Sequence, residues 1–162
     1  MNVNYPGVGN QTDCDCMVIG PLLAGNLISP SHYIGASTWA WYLANAQEVD
    51  YKKDQPVARI GKTSGLFTPG KITNPFYSRY LNGVFYYGQI RTDLDVCVGD
   101  SGGALLGSTP NGWVVLMGVT VYGENPYASS CAANPTATAY TDSVYSRSTL
   151  VPTRVGVTPI LH

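Results

Sequence analysis

The sequence predicts an all-β fold made of many short antiparallel strands. Three observations carry that expectation. Gly 18, Pro 11 and Tyr 12, with only 12% of residues charged, form a strand-rich and turn-rich composition. Short apolar runs recur along the chain and are cut repeatedly by Gly, Pro and Asn. Patterns with the period of a helix are scarce. Closely spaced short strands with such punctuation belong in a barrel or a sandwich.

In chain order, Met17-Val18-Ile19 and Leu27-Ile28-Ser29 are the first apolar runs. Tyr33 to Gln47 is the best helical candidate because it is Ala-rich, and its Trp and Tyr content fits a strand and turn equally well. Pro56 to Ile60, Gly83 to Ile90, Ala104-Leu105-Leu106, Trp113 to Tyr122 and Arg154 to Ile160 follow as strand candidates. Asn82-Gly83 between two such runs is a hairpin signal. Gly20-Pro21, Gly25-Asn26, Pro69-Gly70, Pro110-Asn111-Gly112 and Asn134-Pro135 mark further turns. The one locally charged patch, Lys52-Lys53-Asp54-Gln55-Pro56, is a candidate boundary and divides the chain into 1–55 and 56–162.

A chain of 162 residues buries about 68–70% of its extended surface, so no disulfide is needed merely to hold it together. A net charge of −1 provides no basic face for nucleic acid. It also provides neither an acidic tail nor a polybasic membrane anchor. No apolar stretch reaches the ~18 residues of a spanning helix. The first residues lack a basic start followed by an apolar run, so a signal peptide is absent or already removed. Sparse surface charge leans towards a secreted or particle-associated protein that assembles with other chains. No metal or cofactor is expected. Four cysteines, Cys14, Cys16, Cys97 and Cys131, allow three pairings. A Cys14–Cys16 bridge would close a very tight ring of poor geometry, and four free buried thiols are the alternative to any bridge.

Asp93 to Leu106, DLDVCVGDSGGALL, carries the chemistry. A serine nucleophile needs a tight turn that presents its Oγ, N–H groups that converge on the developing oxyanion, and small neighbours. Gly99 before Ser101, and Gly102-Gly103 after it, supply such a backbone, because glycine tolerates positive φ and close approach. Ala104-Leu105-Leu106 would anchor the turn on a buried strand. The competing reading is a glycine-rich hairpin with an incidental serine.

This segment resembles the active-site serine motif of the chymotrypsin-like (trypsin-like) proteases. Gly61 to Ile72, GKTSGLFTPGKI, is similar to the glycine-punctuated hairpin that opens the second barrel of that family. Trp113 to Gly123, WVVLMGVTVYG, is similar to the strand pair after the nucleophile. Roughly residues 56–145 are covered. The resemblance implies a double antiparallel β-barrel, here with a shortened first barrel, and a serine endopeptidase acting on protein or peptide substrates. It makes Ser101 the nucleophile and the N–H groups of Gly99 and Ser101 the oxyanion hole. It pairs Cys97 with Cys131 in a disulfide that braces the substrate pocket, and makes Val121, Tyr122 and Gly123 a pocket wall. Val121 stands where the family usually has serine. The residue six positions before the nucleophile, Asp95, falls on the pocket floor, where a carboxylate favours Arg or Lys. The alternative for Asp95 is a solvated loop residue beside Asp93.

A serine hydroxyl needs a base. Of the two histidines, His162 is terminal, which leaves His32. Leu27 to Ile34, LISPSHYI, resembles the family's strand-then-histidine motif. A second register puts Thr38 on that position and removes the base. The orienting carboxylate is expected between His32 and Ser101. Val49-Asp50-Tyr51 fits best, so Asp50 is the choice and Asp54 the reserve. The interval from His32 to Asp50 is short for the family, although the compact viral members resemble it. The amino-terminal activation motif of the family is absent, so Asp100 must be organised without cleavage of a precursor. The reading from another class is a catalytically inactive, protease-like binding or structural module.

Overall fold

β-Branched and aromatic residues fill the middle of this chain, and glycine or asparagine stands at several of its reversals. Asn82 and Gly83 both adopt positive φ, 51° and 82°, which is the backbone a two-residue hairpin turn requires. The computed structural model describes residues 51–108, 114–127, 131 and 134–150, with the side chains of 66 and 67 excepted. It also describes the backbone of five strands nearer the amino terminus.

Those five are β1 (Val3–Tyr5), β2 (Gln11–Thr12), β3 (Cys16–Val18), β4 (Ser31–Gly35) and β5 (Thr38–Trp41). The rest are β6 (Pro56–Gly61), β7 (Gly65–Leu81), β8 (Val84–Thr92), β9 (Val96–Cys97), β10 (Ala104–Ser108), β11 (Val114–Tyr127) and β12 (Ala139–Arg147). A short 3-10 turn, Ser148–Leu150, follows. The stretch 33–47 is therefore not helical where it is described. Ser31–Gly35 and Thr38–Trp41 pair antiparallel, with His32 opposite Ala40. Aromatic and β-branched residues decided this over the alanines. The runs at 27–29 and 154–160 lie outside the described residues.

Six strands close on themselves. The hydrogen-bonded order β8-β7-β6-β10-β11-β12 returns to its start because β12 pairs with β8, Ser143 opposite Thr92 and Tyr145 opposite Ile90. All neighbours in this ring are antiparallel. Closure removes the open sheet edge. Val57, Ile72, Ile90, Leu94, Leu105, Val115, Met117 and Tyr145 fill the ring. Tyr145 is wholly enclosed, and burial pushes its phenol up to about 12. β2 adds a parallel partner to the outer stretch of β8, Gln11 opposite Phe85. β4 runs close to β7, and β5 to β11.

Two features position the site. The β6–β7 hairpin turns at Lys62-Thr63-Ser64, with Gly61 opposite Gly65. The β7–β8 and β11–β12 ribbons both extend past the ring, so that Leu81 and Val84 end one and Tyr127 and Ala139 end the other.

Candidate active site

The segment from Cys97 to Gly103 runs between β9 and β10. Its backbone donors can be accounted for one by one. Cys97 N–H donates to Asp100 Oδ2 at 2.9 Å. Val98 donates to Thr138 O at 3.0 Å, Asp100 to Cys97 O at 3.0 Å, Gly102 to Thr120 O at 2.9 Å and Gly103 to Asp100 O at 2.8 Å. The N–H groups of Gly99 and Ser101 find no acceptor among the described residues. Both residues are exposed. The loop thus saturates every donor except the two that the resemblance assigns to an oxyanion.

Glycine is needed twice here. Gly99 has φ 101°, and a Cβ on it would collide with Thr63 Oγ1. A Cβ on Gly103 would run into the carbonyl of Ile60. Thr120 ties the far side of the loop, because its N–H and hydroxyl both donate to Gly103 O, at 2.8 and 3.0 Å.

Asp100 is the keystone of the turn. It is buried, and Oδ1 accepts from the N–H groups of Thr63 and Ser64 at 2.7 and 3.0 Å. Arg59, also buried, lies 3.8 Å from Oδ2 and donates to Ser64 Oγ. Burial works to raise the carboxyl pKa. The Ser64 hydroxyl and the N–H groups of Cys97, Ser64 and Thr63 outweigh it and hold Asp100 below the ordinary carboxylate value. The β6–β7 hairpin therefore anchors the Asp100 carboxylate, while Thr120 of β11 and Thr138 hold the rest of the loop. Sequence reading left Arg59 inside an apolar run; the signal was a lone arginine at an interior strand position, PVARIG.

Ser101 Oγ faces the cleft and lies 3.5 Å from Val121 O. Beside it opens a cavity of about 270 Å³. Val121, Tyr122 and Gly123 line it, together with Leu81, Val96, Val98, Thr120, Tyr140 and the Cys97 end of the disulfide. Cys97 and Cys131 are bonded, with Cα atoms 6.2 Å apart, and Ala139 packs on them. Gly123 is required for the Tyr140 ring, whose Cγ would lie 2.5 Å from a Cβ there. Asp95 is not part of this lining. It is exposed, and Oδ2 accepts from the Tyr127 hydroxyl at 2.8 Å. The floor position implied by resemblance is thus replaced by an outward one, in keeping with a solvated loop residue. None of the described residues that line the cavity is charged.

Of the remaining sequence candidates, His32 sits on β4 by its backbone, while its side chain, Asp50, Cys14 and the side chain of Cys16 lie outside the described residues. Asp54 is exposed and pairs with Lys71 at 3.2 Å. Among the described residues no cluster of His, Cys, Asp or Glu has metal-binding geometry. No helix among them is long and apolar enough to cross a membrane.

A closed antiparallel ring with a glycine-lined serine turn between its strands defines the chymotrypsin-like β-barrel fold, and comparison with solved structures bears this out. The chain is similar to a glutamic acid-specific serine protease described as using a histidine triad in substrate binding: TM-score 0.60, 18% identity, 85% of this chain and 63% of that one. It is similar to Thermobifida fusca protease A, at TM-score 0.62 and 17% identity over 87% of this chain and 66% of that one. It is similar to Cellulomonas bogoriensis chymotrypsin, at TM-score 0.59 and 22% identity over 86% of this chain and 66% of that one. The likeness is one of fold, and the chain spans a little under two thirds of their length. No family model matches the sequence, and no curated protein matches it.

Proposed function

We propose that this protein is a serine endopeptidase that cleaves peptide bonds through an acyl-enzyme. The observation that carries the reading is the donor accounting of the serine loop. Among the described residues only Gly99 and Ser101 of that loop have N–H groups without an acceptor, directly beside the exposed Ser101. Two fixed donors aimed at one point stabilise the oxyanion of a tetrahedral intermediate.

In this reading His32 takes the proton of Ser101 and returns it to the leaving amine, and Asp50 orients the imidazole and stabilises its charged form. The cavity beside Ser101 receives a substrate side chain. Residues 1–55 form a shortened first half-barrel that carries the base, and residues 56–162 form the second barrel. The protein works outside the reducing cytosol, and the Cys97–Cys131 disulfide supports that location.

Labelling with a fluorophosphonate tests the proposal, because such a probe reacts with an activated serine and not with a merely exposed one. Wild-type protein labels; Ser101→Ala and His32→Ala do not, while their melting temperatures stay within a few degrees of wild type. Wild-type protein that stays unlabelled fails the proposal. One observation favours a second reading, an inactive binding module: a second register of the LISPSHYI segment puts Thr38, not His32, on the base position. An unlabelled wild type that still retains a peptide ligand would select it.

A further inference from the structure

The two overhanging ribbons meet at one buried carboxylate. Glu124, on β11, has a side chain only 3% exposed. It accepts from the Tyr77 hydroxyl at 2.7 Å and from Arg79, and it is ion-paired with Arg91, whose Nε lies 3.0 Å away. Arg91 also reaches Asp142 of β12 at 2.9 Å. Tyr77 and Arg79 belong to β7 and Arg91 to β8, so every bond to Glu124 ties the β7–β8 hairpin to the β11–β12 ribbon. An ionised group buried this deeply is costly unless it is paired, and here it is paired only across the two ribbons.

The same ribbons wall the cavity. Leu81 follows Arg79 by two positions on β7, so it extends from the same face of the hairpin. It is the hairpin's residue in the cavity lining. Tyr80, between them, points away and is 66% exposed. On the opposite ribbon Tyr122 precedes Glu124 by two positions and lines the cavity too. Its buried hydroxyl has no hydrogen-bond partner among the described residues, and the Tyr86 ring of the hairpin packs edge-on against the Tyr122 ring, centroids 5.9 Å apart. The clamp thus stands behind two cavity walls without lining the cavity itself.

We propose that Glu124 is a specificity-positioning residue: through Arg79 and Arg91 it seats Leu81 against the Tyr122 wall, closing a cavity, uncharged in its described lining, that takes an uncharged apolar substrate side chain. This rests on the endopeptidase reading and names the substrate class of the same site. The side chain concerned is the one preceding the bond that is cut. Leu, Phe or Met brings apolar atoms to Leu81, Val96, Val98 and Val121. Among the described lining residues an Arg or Lys head group finds no carboxylate, and Asp or Glu finds no cation.

The test uses peptides identical except for Leu, Phe, Ala, Lys or Glu before the scissile bond. Wild-type protein favours Leu or Phe over Ala, and over Lys and Glu, by roughly tenfold or more in kcat/KM. Glu124→Gln keeps the shape and removes the charge. It lowers the Leu-to-Ala ratio about tenfold, a quantity that cancels any common change at Ser101. Leu81→Ala does the same, and the double variant loses no further selectivity, because both act through one wall. Should Glu124→Gln fold poorly, Arg79→Gln, at a half-exposed position, gives the same readout. Preference for Lys or Glu, an unchanged ratio, or additive losses overturns the proposal. If wild-type protein neither cleaves peptides nor labels with a fluorophosphonate, the endopeptidase reading has failed instead. The clamp is then read from p-cresol binding, followed by NMR at the amides of Val121 to Gly123. Binding about tenfold weaker in Glu124→Gln supports it, and equal affinity overturns it.

Discussion

Replacing Asp100 by Asn tests whether the serine turn is held together from inside the barrel. The change is nearly isosteric. The amide oxygen can still accept from Thr63 and Ser64, which now bond at 2.7 and 3.0 Å. The amide nitrogen then takes the place of Oδ2 and confronts another donor, the Cys97 N–H that now lies at 2.9 Å. An orphaned buried N–H costs about 1–3 kcal/mol. Arg59, only 3% exposed, also loses the one acidic group near it among the described residues. Breaking a buried ion pair costs about 3–5 kcal/mol. The two losses share partners and do not add fully, so we expect about 4 kcal/mol at neutral pH. With a urea m-value of about 2 kcal/mol/M, the unfolding midpoint falls by about 2 M. Fluorophosphonate labelling falls with it, because Gly99 and Ser101 flank the altered residue. The pH dependence has a definite sign. The folded carboxyl sits below its ordinary value, so its stabilisation is present above about pH 3.9 and is lost as pH falls through the folded pKa. Wild type and variant therefore converge in acid. Urea titrations at pH 7 and pH 3, with labelling of each protein, decide the matter. A midpoint shift under about 0.5 M at pH 7, or undiminished labelling, refutes the account of the turn.

Three further outcomes are expected. Gly99→Ala forces a Cβ into Thr63 at a φ of 101°, so labelling is lost and stability falls by about 1–3 kcal/mol or more in thermal melts. Removing the disulfide with Cys97→Ala and Cys131→Ala opens a loop of 34 residues and costs about 3–4 kcal/mol, and reductant reproduces the loss in wild type only. The Tyr145 phenol, enclosed by the core, does not contribute to ultraviolet phenolate absorbance until about pH 12, and Tyr145→Phe leaves the earlier part of the titration unchanged.

Local chemistry was legible where it is written into consecutive residues. Asn82-Gly83 announced its hairpin because only certain residues accept that backbone, and GDSGG announced its loop for the same reason. The short apolar runs at Pro56 to Ile60 and Gly83 to Ile90 marked strands that exist at nearly those bounds. What sequence reading missed are pairings across long separations. Asp100 meets Thr63 and Ser64, 37 and 36 residues earlier, and Glu124 meets Arg79, 45 residues earlier. Nothing local in an acidic residue tells which distant strand will neutralise it. Asp95 shows the converse. Its position in the motif suggested a pocket floor, but the Tyr127 hydroxyl, 32 residues later, holds it outside. Tyr33 to Gln47 was ambiguous because alanine content and aromatic content argued for opposite structures, and strand pairing between Ser31–Gly35 and Thr38–Trp41 settled its first part.

The ring is completed only by β12 lying down on β8, a contact that joins residues 51 apart. During synthesis β6, β7 and β8 emerge as a meander whose last strand must wait for residues 139–147 before its inner half is covered. Such non-local closure is slow relative to hairpin formation. The waiting edge is a place where another nascent chain can pair. Its outer half is less vulnerable, because β2 has already been translated and pairs with it at Phe85 and Tyr86. β2 is thus placed to cover that edge before β12 arrives, and replacing Gln11 and Thr12 by proline should show first as a lower yield of soluble protein.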